Sequence, residues 1–392
     1  MLAVLPISSH GWCAEPWARH TIDNSSRGAD GIRPRDVNGD GLIDLVTGWE
    51  EGGLVRVYLH PGADKCKLAW PAVTVGKVRS PEDAVFVDLD QDGQYDVVSC
   101  CEGKTRTVYV HWAPSRATDY LDSGKWVTAE ITCLAGKQQW MFALPMQLDG
   151  QHGSDLVLGS KGNGATVGWC QAPADPRDLD AWRYFPLYQA GWIMSLVEDD
   201  LDQDGDPDIL LTDRKGRQRG VWWLENPGVA GNRSRASWPQ HSLGLTNQEV
   251  MFLGTGDVNG DRRTDLFCPT RDKRGWLMLR EPDTSPRYQL REIENPASSP
   301  WGKAAAIGDL NGDGKPEIVQ SFNTNGNRQA RGVVWRQQDS TGHWDSNDIS
   351  GVPGVKFDLV ELIDVDADGD LDVVTCEERD NLGVIWYENP HR

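Results

Sequence analysis

Residues 36–44 read DVNGDGLID and run straight into the apolar pair Leu45-Val46. Acidic or amide side chains stand at the first, third, fifth and ninth places, with glycine at the sixth. Calcium takes roughly six to eight hard oxygens from carboxylates, amide carbonyls and backbone. This alternation offers the side chains of Asp36, Asn38, Asp40 and Asp44 and the backbone carbonyl of Leu42, around a turn that Gly41 permits. An EF-hand would carry a bidentate Glu at the twelfth place and lie between helices. The twelfth residue here is Thr47, inside an apolar run, so the stretch is no EF-hand. It is either a metal active site or a staple holding a turn, and its recurrence decides which.

The pattern returns as DLDQDGQYD at 88–96, DLDQDGDPD at 200–208, DVNGDRRTD at 257–265, DLNGDGKPE at 309–317 and DVDADGDLD at 364–372. A worn copy, QLDGQHGSD, fills 147–155, so the starts are spaced by 52 to 59 residues. A second series keeps the same beat: Trp17, Trp70, Trp126, Trp182, Trp238, Tyr288 and Trp344 each open a short strand-like run. A third closes a strand after each loop, as in RVYLHP, VWWLENP and VIWYENP. Each repeat parses as strand A, acidic loop, strand B, polar loop, strand C and strand D. Seven such units predict an all-β, seven-bladed β-propeller of four-stranded antiparallel blades. The chain starts with a lone D strand at Trp17–Ile22 and ends just after a C strand at Trp386-Tyr387. Pairing the first strand with the C-terminal blade would close the ring and hide both edges. One domain then spans residues 15–392.

These loops, with the W-x-E-N-P endings at Trp223–Pro227 and Trp386–Pro390, resemble FG-GAP/VCBS repeats over about residues 15–390. That family includes the propeller of integrin α subunits and many secreted bacterial proteins. The resemblance implies a calcium-stapled propeller and leaves activity open, because the fold hosts binders and enzymes alike.

Calcium is expected at about six structural sites. Beside the first loop, the ligands are Asp88, Asp90, Asp92 and Asp96; Asp200, Asp202, Asp204 and Asp208; and Asp257, Asn259, Asp261 and Asp265. Asp309, Asn311, Asp313 and Glu317 form the next set, and Asp364, Asp366, Asp368 and Asp372 the last. The loop at 257 has Arg262 in place of the glycine of the five better copies and Arg263 beside it, and the loop at 147 keeps only Asp149 and Asp155, which predicts no metal there. A site saturated by its own loop has little room to polarise a substrate, and near-copies at one structural position point to stapling. Six divalent ions would cancel more than half of the formal charge of −20. The acidity then needs no basic partner, and no basic stripe supports nucleic-acid binding.

No apolar run reaches the ~18 residues of a membrane span, and a monomer is expected. Residues 1–14, with LAVLPI before Trp12-Cys13-Ala14, read as a residual secretion signal. An extracellular or periplasmic location follows, where weak calcium sites fill. The eight cysteines lack CxxC spacing, which excludes a zinc motif and suits buried strand positions, although Cys100-Cys101 would also allow a vicinal disulfide.

Because strands alternate in direction, the acidic loops share one face and the D–A and B–C connections the other. Six residues before each loop stand Asp30, Glu82, Met141, Met194, Met251, Lys303 and Asp358, at the start of strand A near the axis. With Arg33, Trp140, Trp192, Glu249 and Lys356 they form the candidate ligand site, apolar on one wall and charged on the other. The B–C loops of blades 3 to 6 are basic and those of blades 7, 1 and 2 acidic. Two functions suit this mouth: a binding or scaffold module for carbohydrate or a protein partner, and a carbohydrate-active lyase or dehydratase.

Overall fold

The computed structural model describes residues 15–282, 286–296, 298–299 and 301–390, and in it the repeats form seven four-stranded antiparallel sheets. Blade 1 comprises Ala29–Arg35, Asp44–Trp49, Leu54–Tyr58 and Ala72–Gly76, strands A to D from the axis outward. Blades 2 to 6 repeat the arrangement over 81–130, 139–189, 193–244, 254–294 and 301–348. Blade 7 takes its A to C strands from Phe357–Ile363, Asp372–Glu377 and Gly383–Glu388 and its D strand from Ala18–Asp23. Ala18 lies opposite Glu388 and Thr21 opposite Ile385, so the first strand closes the last blade.

The B strands lie between neighbouring blades and are buried on both faces, which explains their unbroken apolar runs (DLVTGW, DILLTD, DVVTCE). The D strands face solvent, as the mostly exposed Val127–Glu130 shows. In blades 1 to 4 the periodic tryptophan closes the blade's own C–D loop. The Trp70 indole donates to the Cys66 carbonyl at 2.9 Å, Trp126 to Tyr120 at 2.8 Å and Trp182 to Pro176 at 2.9 Å.

The ninth-place carboxylate has the same office in blade after blade. Asp208 accepts from the Leu201 amide at 3.1 Å and the Asn226 amide at 2.7 Å; Asp372 accepts from Val365 at 2.9 Å and Asn389 at 2.8 Å. It thus ties the start of its loop to the end of strand C, and Asn226 and Asn389 are the asparagines of the two ENP endings. Asp155 does the same in the worn blade 3, bonding Leu148 at 3.1 Å and Ala172 at 2.8 Å. A buried carboxylate left without donors would be costly, and the two amides satisfy it without any ion.

Cys66, Cys100, Cys101, Cys133, Cys170, Cys268 and Cys376 are free thiols, all but Cys133 buried, so the adjacent pair is not bridged. Cys13 and the expected signal segment lie outside the described residues. No described helix is long and apolar enough to cross a membrane.

Candidate functional site

The inner strands are irregular at one place. Pairing with strand B slips between Pro81 and Asp83, Trp140 and Phe142, Ile193 and Ser195, Gly302 and Ala305, and Phe357 and Val360. A bulge leaves a residue out of the ladder and re-aims its side chain. The residues skipped include Glu82, Met141, Met194, Lys303 and Asp358, members of the predicted ring. All seven ring residues, Asp30 and Met251 included, line one cup of about 220 Å³ at the channel mouth.

A second ring surrounds the first. Six residues beyond each ninth-place acid stand Glu50, Glu102, Lys161, Arg214, Arg271, Asn323 and Glu378. The first six line the same cup, and Glu378 contacts Lys356, which also lines it. Both rings are therefore acidic in blades 7, 1 and 2, whereas blades 3 to 5 set methionines inside and cations outside. The cup's floor includes Phe252, which meets the buried Phe142 edge to face at 5.8 Å and has Lys303 5.0 Å above its ring. Below it a separate chamber of about 440 Å³ is lined by Arg33, Glu198 and Glu361 among others.

The charges are unevenly matched. Lys303 contacts Asp358, and Lys356 contacts Glu378 while lying 3.3 Å from Asp358 and 3.8 Å from Asp30. Lys161 contacts Glu102 and lies 3.8 Å from Glu82. Oxygens of Asp30, Glu50 and Glu82 lie within 4.8 Å of one another. Burial, reinforced by Asp358, Glu82 and Glu378, pushes Asp30 well above the usual carboxylate range against the pull of Lys356. Burial, with Glu82 and Glu378, also raises Glu50. Opposite, Arg214 and Arg271 share the single carboxylate of Glu249, at 3.3 and 3.4 Å. Lys161, Arg214 and Lys215 each stand 4.6 Å from the Trp192 ring, and Arg271 is 4.4 Å from Trp301.

On the far face, each acidic loop is wound by its own side chains. Asp36 accepts from the amides of Gly39 and Gly41, at 2.8 and 2.9 Å, and Asp309 from those of Gly312 and Gly314, both at 2.8 Å. The sixth place is left-handed throughout, with glycine in five loops, Arg262 (φ 66°) in blade 5 and His152 (φ 60°) in blade 3. Carboxylate oxygens converge within 4.8 Å in the sets Asp88-Asp90-Asp92, Asp200-Asp202-Asp208 and Asp364-Asp366-Asp372. Asp88 Oδ1 and Asp366 Oδ1 are buried without a hydrogen-bond partner. Hard oxygens gathered around unsatisfied acceptors fit calcium.

A profile of FG-GAP-like repeats matches residues 36–99, 200–268 and 257–320, the segments that hold five of these loops. This chain is an FG-GAP repeat propeller. The FG-GAP propeller is similar in fold to the crystal structure of BBS1N in complex with ARL6DN, soaked with mercury. The TM-score is 0.53 at 9% identity, over 95% of this chain and 96% of that one. No curated protein matches it in sequence.

Of the predicted ligand residues, the FG-GAP propeller brings Asp30, Glu82, Trp192, Met194, Lys303, Lys356 and Asp358 to the cup. Three lie elsewhere. Trp140 is wholly buried, its indole donating to the Leu134 carbonyl at 3.2 Å. Arg33 sits below the floor, bonded to Asp83 at 3.0 Å and 5.7 Å from the Phe142 ring. Glu249 holds the two arginines at the rim. The second ring was visible in the sequence only as loop charges. The signal that finds it is the constant offset of six residues past the ninth-place acid, matching the six before the first place.

Proposed function

We propose that this FG-GAP propeller is a recognition module whose ligand is a protein partner, docked across the channel mouth with side chains entering the cup. The observation that carries the reading is the division of both rings into an acidic half and a methionine-and-cation half. A small-molecule pocket is typically about 300–1,000 Å³, and this cup, at about 220 Å³, is smaller. Three cations crowd the Trp192 ring, which leaves little of its face for stacking a sugar. A protein partner supplies complementary charges over the whole mouth. Carbohydrate remains the competing ligand for the test.

Calcium belongs to the same proposal, at the loops starting at 36, 88, 200, 257, 309 and 364, through the side chains named above. Its chemistry there is to neutralise crowded carboxylates and hold the turn between strands A and B. An extracellular or periplasmic setting suits such loops, because calcium is plentiful there.

The test purifies a partner with the full chain and compares its Kd for wild type, Arg271→Glu and Glu50→Lys. A protein that loses about tenfold or more with either reversal, and more at low salt, supports the reading. Equal affinity for all three, or binding confined to glycans on an array, contradicts it. A lyase or dehydratase at the same mouth is the second reading, favoured by the raised carboxyl of Asp30 beside Glu50 and Glu82. It requires unsaturated product, visible by ultraviolet absorbance, that Asp30→Asn abolishes.

A further inference from the structure

The acidic loops differ in what the next blade brings to them. In blade 2, Arg177 reaches across from the C–D loop of blade 3. Its Nε lies 2.5 Å from Asp90 Oδ2, its Nη2 3.8 Å from Asp92 Oδ2, and its guanidinium 4.6 Å from the Trp112 ring. In blade 7, Lys67 reaches across from the C–D loop of blade 1, with Nζ 3.3 Å from Asp366 Oδ2 and 2.7 Å from Glu388 Oε1. Among the described residues, no basic side chain is paired with Asp36, Asp40, Asp200, Asp202, Asp204, Asp208, Asp309 or Asp313.

We infer that Arg177 and Lys67 are tethered cations that compete with calcium at the loops starting at 88 and 364. The inference rests on the calcium reading above and assigns the loops to two classes. Loops 36, 200 and 309 fill first; loops 88 and 364 fill only at higher calcium, as does loop 257, whose own Arg263 Nη1 lies 3.0 Å from Asp261 Oδ2. The physical ground is that a fixed positive charge on a third-place carboxylate repels an incoming dication and takes up one of its ligand oxygens. The observations fit a device rather than a stability contact. Arg177 and Lys67 keep 47% and 44% of their side chains exposed, and exposed pairs contribute little to folding. Both arms also come from the following blade, so filling either loop alters the tie between two blades.

Isothermal titration of the full chain with calcium chloride tests this. Wild type should show a weaker class of three sites beside a tighter class of three. Arg177→Gln should move one weak site at least ~3-fold tighter, Lys67→Gln a second, and the double variant both of these. Arg177→Lys, which keeps the charge, should stay weak. Unchanged or weakened affinity in both glutamine variants overturns the inference, as does an Arg177→Lys variant as tight as Arg177→Gln. If wild type takes up no calcium, the calcium reading falls and the inference with it. If wild type binds but the variants do not differ from it, the inference alone falls.

Discussion

The side-chain amide of Gln147 donates to the Gly153 carbonyl at 2.7 Å and to the Gln151 carbonyl at 3.2 Å. Gly153 holds the seventh place of its loop, the position from which Leu42 would offer its carbonyl to calcium. A neutral amide therefore sits inward where the other loops gather acceptors. Asp149 is occupied as well, accepting from Gln171 Nε2 at 2.5 Å, and Arg233 donates to the Asp149 carbonyl at 2.7 Å. Replacing Gln147 and Gln151 together by Asp should give a chain that binds one more calcium than wild type in equilibrium dialysis. An unchanged stoichiometry would mean that more than the amide keeps blade 3 metal-free.

Asp155 separates the two duties of the ninth-place acid, because its loop is the one without expected metal. Asp155→Ala leaves the buried Leu148 and Ala172 amides unpaired, at a cost of about 2–3 kcal/mol. Chemical denaturation should show that loss equally with calcium and with chelator. A loss seen only in calcium would reveal a metal ligand instead.

Arg262 adopts a left-handed backbone at φ 66° where five loops use glycine. That conformation costs a side-chain-bearing residue roughly 1–2 kcal/mol, partly offset in glycine by chain entropy. Arg262→Gly should therefore raise stability by up to about 1 kcal/mol, read as a higher urea midpoint at unchanged m-value. A lower midpoint would show that the arginine side chain does more for blade 5 than its backbone strain costs.

His111 is buried between Ser99 Oγ and Thr128 Oγ1, each 2.8 Å from a ring nitrogen. Burial pushes its pKa from 6.5 down to about 3. The folded state thus keeps the ring neutral while the unfolded chain takes up a proton below 6.5. Its contribution is complete above pH 6.5 and is lost as pH falls towards 3, on the order of 4 kcal/mol across that span. His111→Gln should flatten the acid limb of the stability curve; a limb parallel to wild type would contradict this. The ring also explains Gly76 in the neighbouring blade, where an added Cβ would stand 2.1 Å from His111 Cε1. Gly76→Ala should destabilise by about 1–3 kcal/mol through overpacking.

The ring of blades was legible because three markers repeat at one period, and each has its own cause. The ninth-place acids tie loop to strand C, the tryptophans of blades 1 to 4 close C–D loops, and the strand-C endings supply the amides, Asn226 and Asn389 among them, that those acids bond. The inner ring of the cup was legible from a fixed offset before the loops. Trp140 and Arg33 were misplaced because a bulge reverses the facing of neighbouring residues, and alternation counted along a strand does not reveal where it falls. The arms Arg177 and Lys67 were hidden for another reason. They lie in C–D loops of variable length, 87 residues after Asp90 in one case, and only the closed ring brings them to the preceding blade.

The central claim is that the acidic loops are cation staples on the face opposite the functional mouth. Differential scanning calorimetry of the full chain, stripped with chelator and then titrated with calcium chloride, tests it most directly. The account predicts a Tm many degrees lower after chelation, fully restored by calcium and not by equal magnesium. A Tm that ignores both chelator and calcium would contradict it.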